Sequence, residues 1–378
     1  MLPELLLLVA DHLSVGDFIN FRLTCHWVKD VLTPPFHKLC LQDVDELTVI
    51  QWAAIRGHAK LIKLAILNGA EKDLPFLGDL TMRPIDGRIQ RYKCYFRHPN
   101  MLTNTGIFYN GNNSEYRTPL FFAAGCGNVK AIEVLLDLGA RTQFNGLMTP
   151  AHAAATQWDV LCMQAFVRPG FDINVRGHNE YTFLHYAIVG GEGMLKYILQ
   201  LDGGKNLVNA RTRSGLTPLH CICKTGSNID CKKSQIELLL QYGADIYARD
   251  KDGYTPAHTF AYWGQHECLQ VLIDAGFDMH TTGKCGKTIL HCTARWNRKK
   301  TLEYLLGLKK GRDIIDMEDN HQLTALDYAY RASDWSLVEL LLFHDAQRKS
   351  FNAIPLVPIT DCCDRSYPIG GSVLEKAW

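Results

Sequence analysis

The sequence predicts an all-α solenoid of helix pairs with β-turn tips, preceded by a small helical module. Three observations predict it. A four-residue opening recurs as Thr149-Pro150-Ala151-His152, Thr182-Phe183-Leu184-His185, Thr217-Pro218-Leu219-His220, Thr255-Pro256-Ala257-His258 and Thr288-Ile289-Leu290-His291. Versions without the histidine stand at Thr48-Val49-Ile50-Gln51, Thr118-Pro119-Leu120-Phe121 and Thr324-Ala325-Leu326-Asp327. From Thr118 onward the opening threonines lie 31, 33, 35, 38, 33 and 36 residues apart. The second half of each unit repeats as well. Gly127-Asn128-Val129, then Ile132, Val134, Leu135, Leu136 and Gly139-Ala140, returns as Gly264-Gln265-His266, then Leu269, Val271, Leu272, Ile273 and Ala275-Gly276. Those apolar positions fall at helical spacing, and the glycine after them is a helix C-cap.

A period of about 33 residues opening on T-P-L-H-x-A resembles the ankyrin repeat, which implies a β-turn and two helices per unit. Eight units are expected, opening at Thr48, Thr118, Thr149, Thr182, Thr217, Thr255, Thr288 and Thr324, over residues 45–346. One helix pair cannot bury its apolar face alone, so neighbouring units form the core.

Residues 1–44 read as two helices. Pro3 suits a first helical turn, and Glu4 suits the positive end of a helix. Leu5, Leu8, Val9 and Leu13 mark one face, while Leu6 and Leu7 make the segment apolar nearly all round, so burial on two sides is expected. Asp17 is a good N-cap for a second helix from Phe18 to about Leu32, and Pro34-Pro35 ends it. With Arg22, Cys25 and Trp27 placed after them, these residues resemble an F-box. That resemblance implies that Leu2, Pro3, Glu4, Leu5, Leu8, Leu13, Asp17, Arg22, Cys25 and Trp27 bind a Skp-type adaptor, joined in turn to a cullin. An F-box ahead of an ankyrin array is similar to a group of proteins common in filamentous fungi.

The unit at Thr48 closes at Ala70, and 47 residues then separate it from Thr118. A regular unit leaves about ten there, so residues 71–116 hold an insertion of about 37 extra residues. Pro84, Gly87, Pro99, Gly106 and Gly111 break helices within it. Its basic and aromatic run from Arg88 to Phe96 reads equally as a binding loop or as a solvated insertion.

The letters that vary between units are the candidate binding residues. The ankyrin resemblance places them on a concave groove: Arg249, Tyr254, Tyr262 and Trp263 in the unit at Thr255; Lys287, Arg295 and Trp296 in the unit at Thr288; and Arg331 in the last. Tryptophan, tyrosine and arginine dominate binding hot spots because they bury large areas at modest entropic cost. A basic and aromatic groove of this kind fits a protein segment carrying acidic and apolar residues.

Other chemistry finds little support. The five repeated histidines are spaced along an axis, whereas metal ligands converge on one point. Each reads instead as a histidine whose ring nitrogens tie turn backbones together. Gly286-Lys287-Thr288 has Thr281 where a phosphate-binding loop needs glycine. Arg295 to Lys300, with Lys309-Lys310 beyond, reads as a solvated helical face. No catalytic residue, cofactor or metal is expected.

Net charge is +1 over 378 residues, so no bulk field draws the chain to nucleic acid or membrane. Among thirteen cysteines, Cys25, Cys126, Cys162, Cys221, Cys223, Cys268 and Cys292 fall inside expected helices and no C-x-x-C occurs. That pattern fits reduced, buried thiols in the cytosol or nucleus. Leu5 to Ala10 lacks the basic flank of a signal peptide, and no run reaches the roughly 18 apolar residues of a membrane helix. In the tail, residues 347–378, the prolines keep Ile354-Pro355-Leu356-Val357-Pro358-Ile359 extended, and it is expected to cover part of the last unit. The function expected from these readings is substrate recognition for a Skp–cullin–F-box ubiquitin ligase. The alternative is a non-catalytic ankyrin scaffold or inhibitor with no ligase link.

Overall fold

The structure is a computed structural model that describes residues 43–44, 47–67, 69–73, 118–143, 148–225 and 229–346. The F-box-like residues 1–42, most of the insertion and the tail from 347 lie outside the described residues. The described residues fall into two compact units, one ending at Phe171 and one starting at Asp172.

In the first unit two antiparallel strands of two residues each, β1 (Asp43–Val44) and β2 (Leu47–Thr48), precede helix α1 (Val49–Arg56) and α2 (Ala59–Leu67). After the insertion come α3 (Pro119–Gly125), α4 (Val129–Asp137), α5 (Pro150–Ala155) and α6 (Val160–Phe166). α3 packs between α1 and α5, and α4 packs between α2 and α6. The pairs on either side of the insertion therefore stack directly. The core between the two layers holds Ile50, Ile62, Leu120, Phe122, Ile132, Leu135 and Met163.

The second unit repeats the pattern five times. Its inner row is α7 (Phe183–Ala187), α9 (Pro218–Cys221), α11 (Pro256–Trp263), α13 (Ile289–Arg295) and α16 (Ala325–Arg331). Its outer row is α8 (Gly191–Gln200), α10 (Ile229–Gln241), α12 (His266–Asp274), α14 (Lys299–Gly307) and α17 (Trp335–Phe343). A short extra helix, α15 (Lys309–Asp313), departs from the expected pattern: it follows α14 and packs on it. It accommodates the 36-residue step to Thr324.

The threonines explain why each inner helix starts where it does. Thr118, Thr149, Thr182, Thr217, Thr255, Thr288 and Thr324 are all extended N-caps. The histidine three residues on sits beside the cap. The backbone N–H groups of Thr149, Thr182, Thr217 and Thr288 donate to Nδ1 of His152, His185, His220 and His291 at 3.2, 3.2, 3.2 and 3.0 Å. The other nitrogen, Nε2, reaches the turn of the following repeat. His185 donates to Leu216 O (3.1 Å), His220 to Tyr254 O (3.2 Å), His258 to Lys287 O (3.1 Å) and His291 to Leu323 O (2.9 Å). Each acceptor is the residue just before the next opening threonine. Where Nδ1 accepts from an N–H and Nε2 faces a carbonyl, the imidazole is the neutral Nε2–H tautomer. In the last repeat Asp327 takes the capping role, with Oδ2 accepting from Thr324 N and Oγ1 at 2.9 Å each.

A second tie joins neighbouring repeats from the other side. A polar side chain in or near the start of an outer helix donates to a carbonyl at the C-terminal end of the previous inner helix, where the ladder leaves acceptors unused. Asn128 Nδ2 reaches Ala54 O and Ile55 O at 2.8 Å each, and Gln157 Nε2 reaches Gly125 O at 2.8 Å. In the second unit Gln235 Nε2 reaches Ile188 O and Arg298 Nε reaches Tyr262 O, both at 2.7 Å. The turn tips also approach closely. Gly286 has φ +75°, and a Cβ there would collide with the Asn320 side chain of the next tip.

The helical cysteines Cys126, Cys162, Cys221, Cys223, Cys268 and Cys292 are free thiols. Burial pushes Cys126 and Cys292 up to about 12. Cys285, at a turn tip, is disulfide-bonded, so the reduced-thiol expectation describes the helical cysteines and not this one.

Burial also depresses the histidines, to about 4 for His185 and about 3 for His258, against 6.5 for an unperturbed imidazole. Their folded pKa lies below the unfolded one, so the unfolded chain takes up protons first as pH falls. Their contribution is complete above pH 6.5 and is lost toward pH 4 and pH 3. We expect stability at pH 5 to fall below that at pH 7.5 by roughly 2 kcal/mol for each of these two histidines, read as urea midpoints. His258→Gln is expected to lower the midpoint at pH 7.5 but to flatten the fall; an unchanged pH profile would contradict the assignment.

Candidate protein-binding face

The candidate residues come from equivalent places in three consecutive repeats. Tyr262 and Trp263 end α11, Arg295 and Trp296 end and cap α13, and Arg331 ends α16. The three helices pack in a row, so residues that are 33 and 36 apart in sequence come to lie side by side. The Tyr262 ring lies 4.7 Å from that of Trp296 and 5.4 Å from that of Trp263. Separations of this size are those of attractive aromatic pairs. Arg295 places its guanidinium 5.7 Å from the Trp296 ring and 5.7 Å from the Tyr328 ring, within cation–π range. Trp263 remains 40 % exposed, while Tyr262, Arg295, Trp296 and Arg331 are half-buried. The Nε of Arg331 is buried with no hydrogen-bond partner. Burial raises the Tyr262 phenol above its ordinary range, so it stays a neutral donor.

Tyr254 stands at the turn before α11 and is half-buried, with its ring 5.7 Å from that of His258. Burial holds its phenol far above the usual range, and the Arg295 charge opposes that shift. The side chains Tyr262, Trp263, Arg295 and Trp296 form one basic and aromatic cluster, and Tyr254 stands at the turn tip ahead of it.

Two expected residues have other roles. Lys287 is 2 % exposed, its ammonium lies 5.3 Å from the Tyr328 ring, and its carbonyl accepts from His258. It belongs to the interior, packed over the Tyr328 ring. Arg249 is exposed, but its Nη1 donates to Gly253 O at 2.8 Å and Thr282 O at 2.7 Å. It is one rung of a ladder. Arg176 donates to Glu180 O and Arg211 O at 3.2 and 3.0 Å, Arg211 donates to Arg249 O, and Arg249 reaches Thr282 O. Each of these arginines stands six residues before an opening threonine, a regularity present in the sequence. The ladder explains Arg249 as a tie between turn tips.

Among the described residues no group of three or more His, Cys, Asp or Glu side chains could hold a metal ion. No described helix is long and apolar enough to cross a membrane. The adaptor-binding residues Leu2, Pro3, Glu4, Leu5, Leu8, Leu13, Asp17, Arg22, Cys25 and Trp27 lie outside the described residues.

Residues 152–250, 184–283, 228–318 and 261–352 match the family model for ankyrin repeats (three copies), together more than half of the chain. The chain belongs to the ankyrin-repeat family. Curated relatives of this ankyrin-repeat chain include alpha-latrotoxin-Lg1a of Latrodectus geometricus, 34% identical over 90 residues, and alpha-latrotoxin-Lh1a of Latrodectus hasselti, 36% identical over 83 residues. Alpha-latrotoxin-Lt1a of Latrodectus tredecimguttatus is 36% identical over 86 residues. These alignments take in 21–23% of this chain and only 6–7% of each relative. No F-box domain is detected in the chain, and nothing indicates a fungal origin. Ankyrin repeats are protein-binding scaffolds, typically non-enzymatic, and the coarse function of this chain follows from them.

The ladder and the cluster are separable by mutation. Arg249→Met removes two hydrogen bonds from a charged donor and is expected to cost about 2 kcal/mol of stability without altering protein binding. Trp263→Ala removes a side chain from the cluster and is expected to weaken binding at least tenfold while leaving the urea midpoint within about 1 kcal/mol of wild type. Circular dichroism melts paired with binding titrations would read both, and equal effects of the two changes on binding would contradict this division.

Proposed function

We propose that this chain is the substrate-recognition subunit of a Skp–cullin–F-box ubiquitin ligase, holding a target protein on the cluster around Trp263 and Trp296. The observation that carries the target-binding half is the packing of Tyr262, Trp263, Arg295 and Trp296 from adjacent repeats into one partly exposed surface. Large flat rings beside guanidinium groups suit a peptide segment with acidic and apolar side chains. The adaptor half rests on the F-box resemblance of residues 1–44, which names a Skp-type adaptor and a cullin as partners. In this reading the chain supplies no nucleophile. It raises the effective concentration of the target beside a conjugating enzyme that carries out the chemistry. The free helical cysteines support the cytoplasm or nucleus as its place of action, the Cys285 disulfide runs against it, and nucleic acid and membrane are not its ligands in this reading.

A second reading, a non-catalytic ankyrin scaffold or inhibitor without a ligase link, is favoured by the family match, which lies wholly within residues 152–352. Affinity capture of the full chain from cells separates the two. Co-purification of Skp and cullin subunits that is lost with Leu8→Asp, while the target stays bound, supports the ligase. Loss of the target with Trp263→Ala plus Trp296→Ala, with Skp retained, supports the binding face. Capture of a target with no Skp from the wild-type chain favours the plain scaffold.

A further inference from the structure

Helix α17 is apolar on nearly every side, yet only one face of it is used. Leu337, Val338 and Leu341 are buried in the stack, whereas Trp335, Leu342 and Phe343 are 65, 47 and 81 % exposed. At 3.6 residues per turn, positions seven and eight apart share one side of a helix, so these three form a single stripe. Helix α14 shows how the same positions look one repeat earlier: Lys299, Leu306 and Gly307. Leu306 is buried at the stacking position, and the other two present a charge and no side chain to solvent. Leu342 is therefore exposed because no further helix pair is described beyond it. Trp335 and Phe343 are a separate departure, two large apolar groups where α14 has none. Side chains of this size in one patch mark a contact surface.

We propose that residues Ile354-Pro355-Leu356-Val357-Pro358-Ile359 of this same chain lie along the Trp335–Leu342–Phe343 stripe and close the array in place of a further repeat. Three features select this occupant. The segment follows the stripe closely: seven residues, 347–353, separate it from Ala346, and an extended chain of that length spans about 25 Å. The nine-residue α17 is about 13.5 Å long, so the segment reaches every part of the stripe. Its chemistry fits, with four aliphatic side chains and no charge in six residues. Its two prolines hold φ near −65° and remove two backbone N–H donors. Less conformational entropy is then lost on docking, and fewer polar groups need partners against an apolar surface. A tether this short sets an effective concentration in the millimolar range, which a second copy or a foreign protein must exceed.

The test uses the full chain with a photo-reactive benzophenone side chain at position 357. Crosslinks from one chain to its own α17, at Trp335, Leu342 or Phe343, are expected in the monomer. Crosslinks between two chains would overturn the proposal in favour of a second copy, and crosslinks confined to other repeats would overturn it outright. A second measurement does not depend on the probe. Leu356→Asp with Val357→Asp is expected to raise binding of an apolar-surface dye several-fold and to lower solubility, and removal of residues 350–378 is expected to do the same. Restoring polarity on the other partner, with Leu342→Ser and Phe343→Ser, is expected to cancel the rise. Dye binding that stays at the wild-type level in both tail variants would also overturn the proposal.

Discussion

Stacking in this chain depends on a neutral imidazole bonded at both ends. The opening threonines start the inner helices, and in the repeats that carry the histidine its Nδ1 sits against the cap. The other nitrogen crosses to the carbonyl just ahead of the following threonine, as in His185 to Leu216 and His291 to Leu323. One ring therefore sets where a helix begins and how far away the next repeat sits. The rings are buried and the acceptors are backbone, so a lost bond would leave an unsatisfied group in the interior. A charged ring could not accept from the threonine N–H, which is why burial and hydrogen bonding agree on the neutral form.

That arrangement frees other positions. The histidines, the Asn128- and Gln157-type ties and the Arg176–Arg211–Arg249 ladder hold neighbouring repeats in register, so the register does not rest on the residues ending the inner helices alone. Tyr262, Trp263, Arg295 and Trp296 occupy those ends and can differ from repeat to repeat without breaking the stack. Earlier repeats place Gly125, Thr156 and Val189 there. Chemistry suited to binding is thus concentrated in the repeats at Thr255 and Thr288, on a scaffold whose rigidity comes from elsewhere. The same logic sets α17 apart, since its inner side obeys the repeat and its outer side does not.

The helix pairs were legible because a capping threonine, a helical run of aliphatics and a closing glycine are local signals, each with its own physical cause. The histidine role was legible for a related reason: periodic spacing excluded a convergent site and left backbone ties as the alternative. Lys287 and Arg249 are also tied into the scaffold, which their letters did not reveal. Both are charged, and Lys287 varies between repeats, as binding residues do. What distinguishes them is direction, and a sequence does not state whether a side chain at a turn points to solvent, as Trp263 does, or packs over Tyr328. The arginine ladder was present as a fixed offset before the threonines, but its meaning needed two turn tips close enough for one guanidinium to span. α15 escaped notice because five residues rich in lysine carry no apolar periodicity.

By itself the sequence determined the number of helix pairs among the described residues, their order, the residues that cap them and the identity of the core, since these follow from propensity, spacing and burial along one short stretch at a time. Tertiary structure alone decided which variable residues meet. Residues 33 apart become neighbours only when inner helices stack, and stacking brings the Tyr262 and Trp296 rings to 4.7 Å while it turns Lys287 inward. The physical reason is that packing between repeats sets side-chain direction, and no local propensity encodes it.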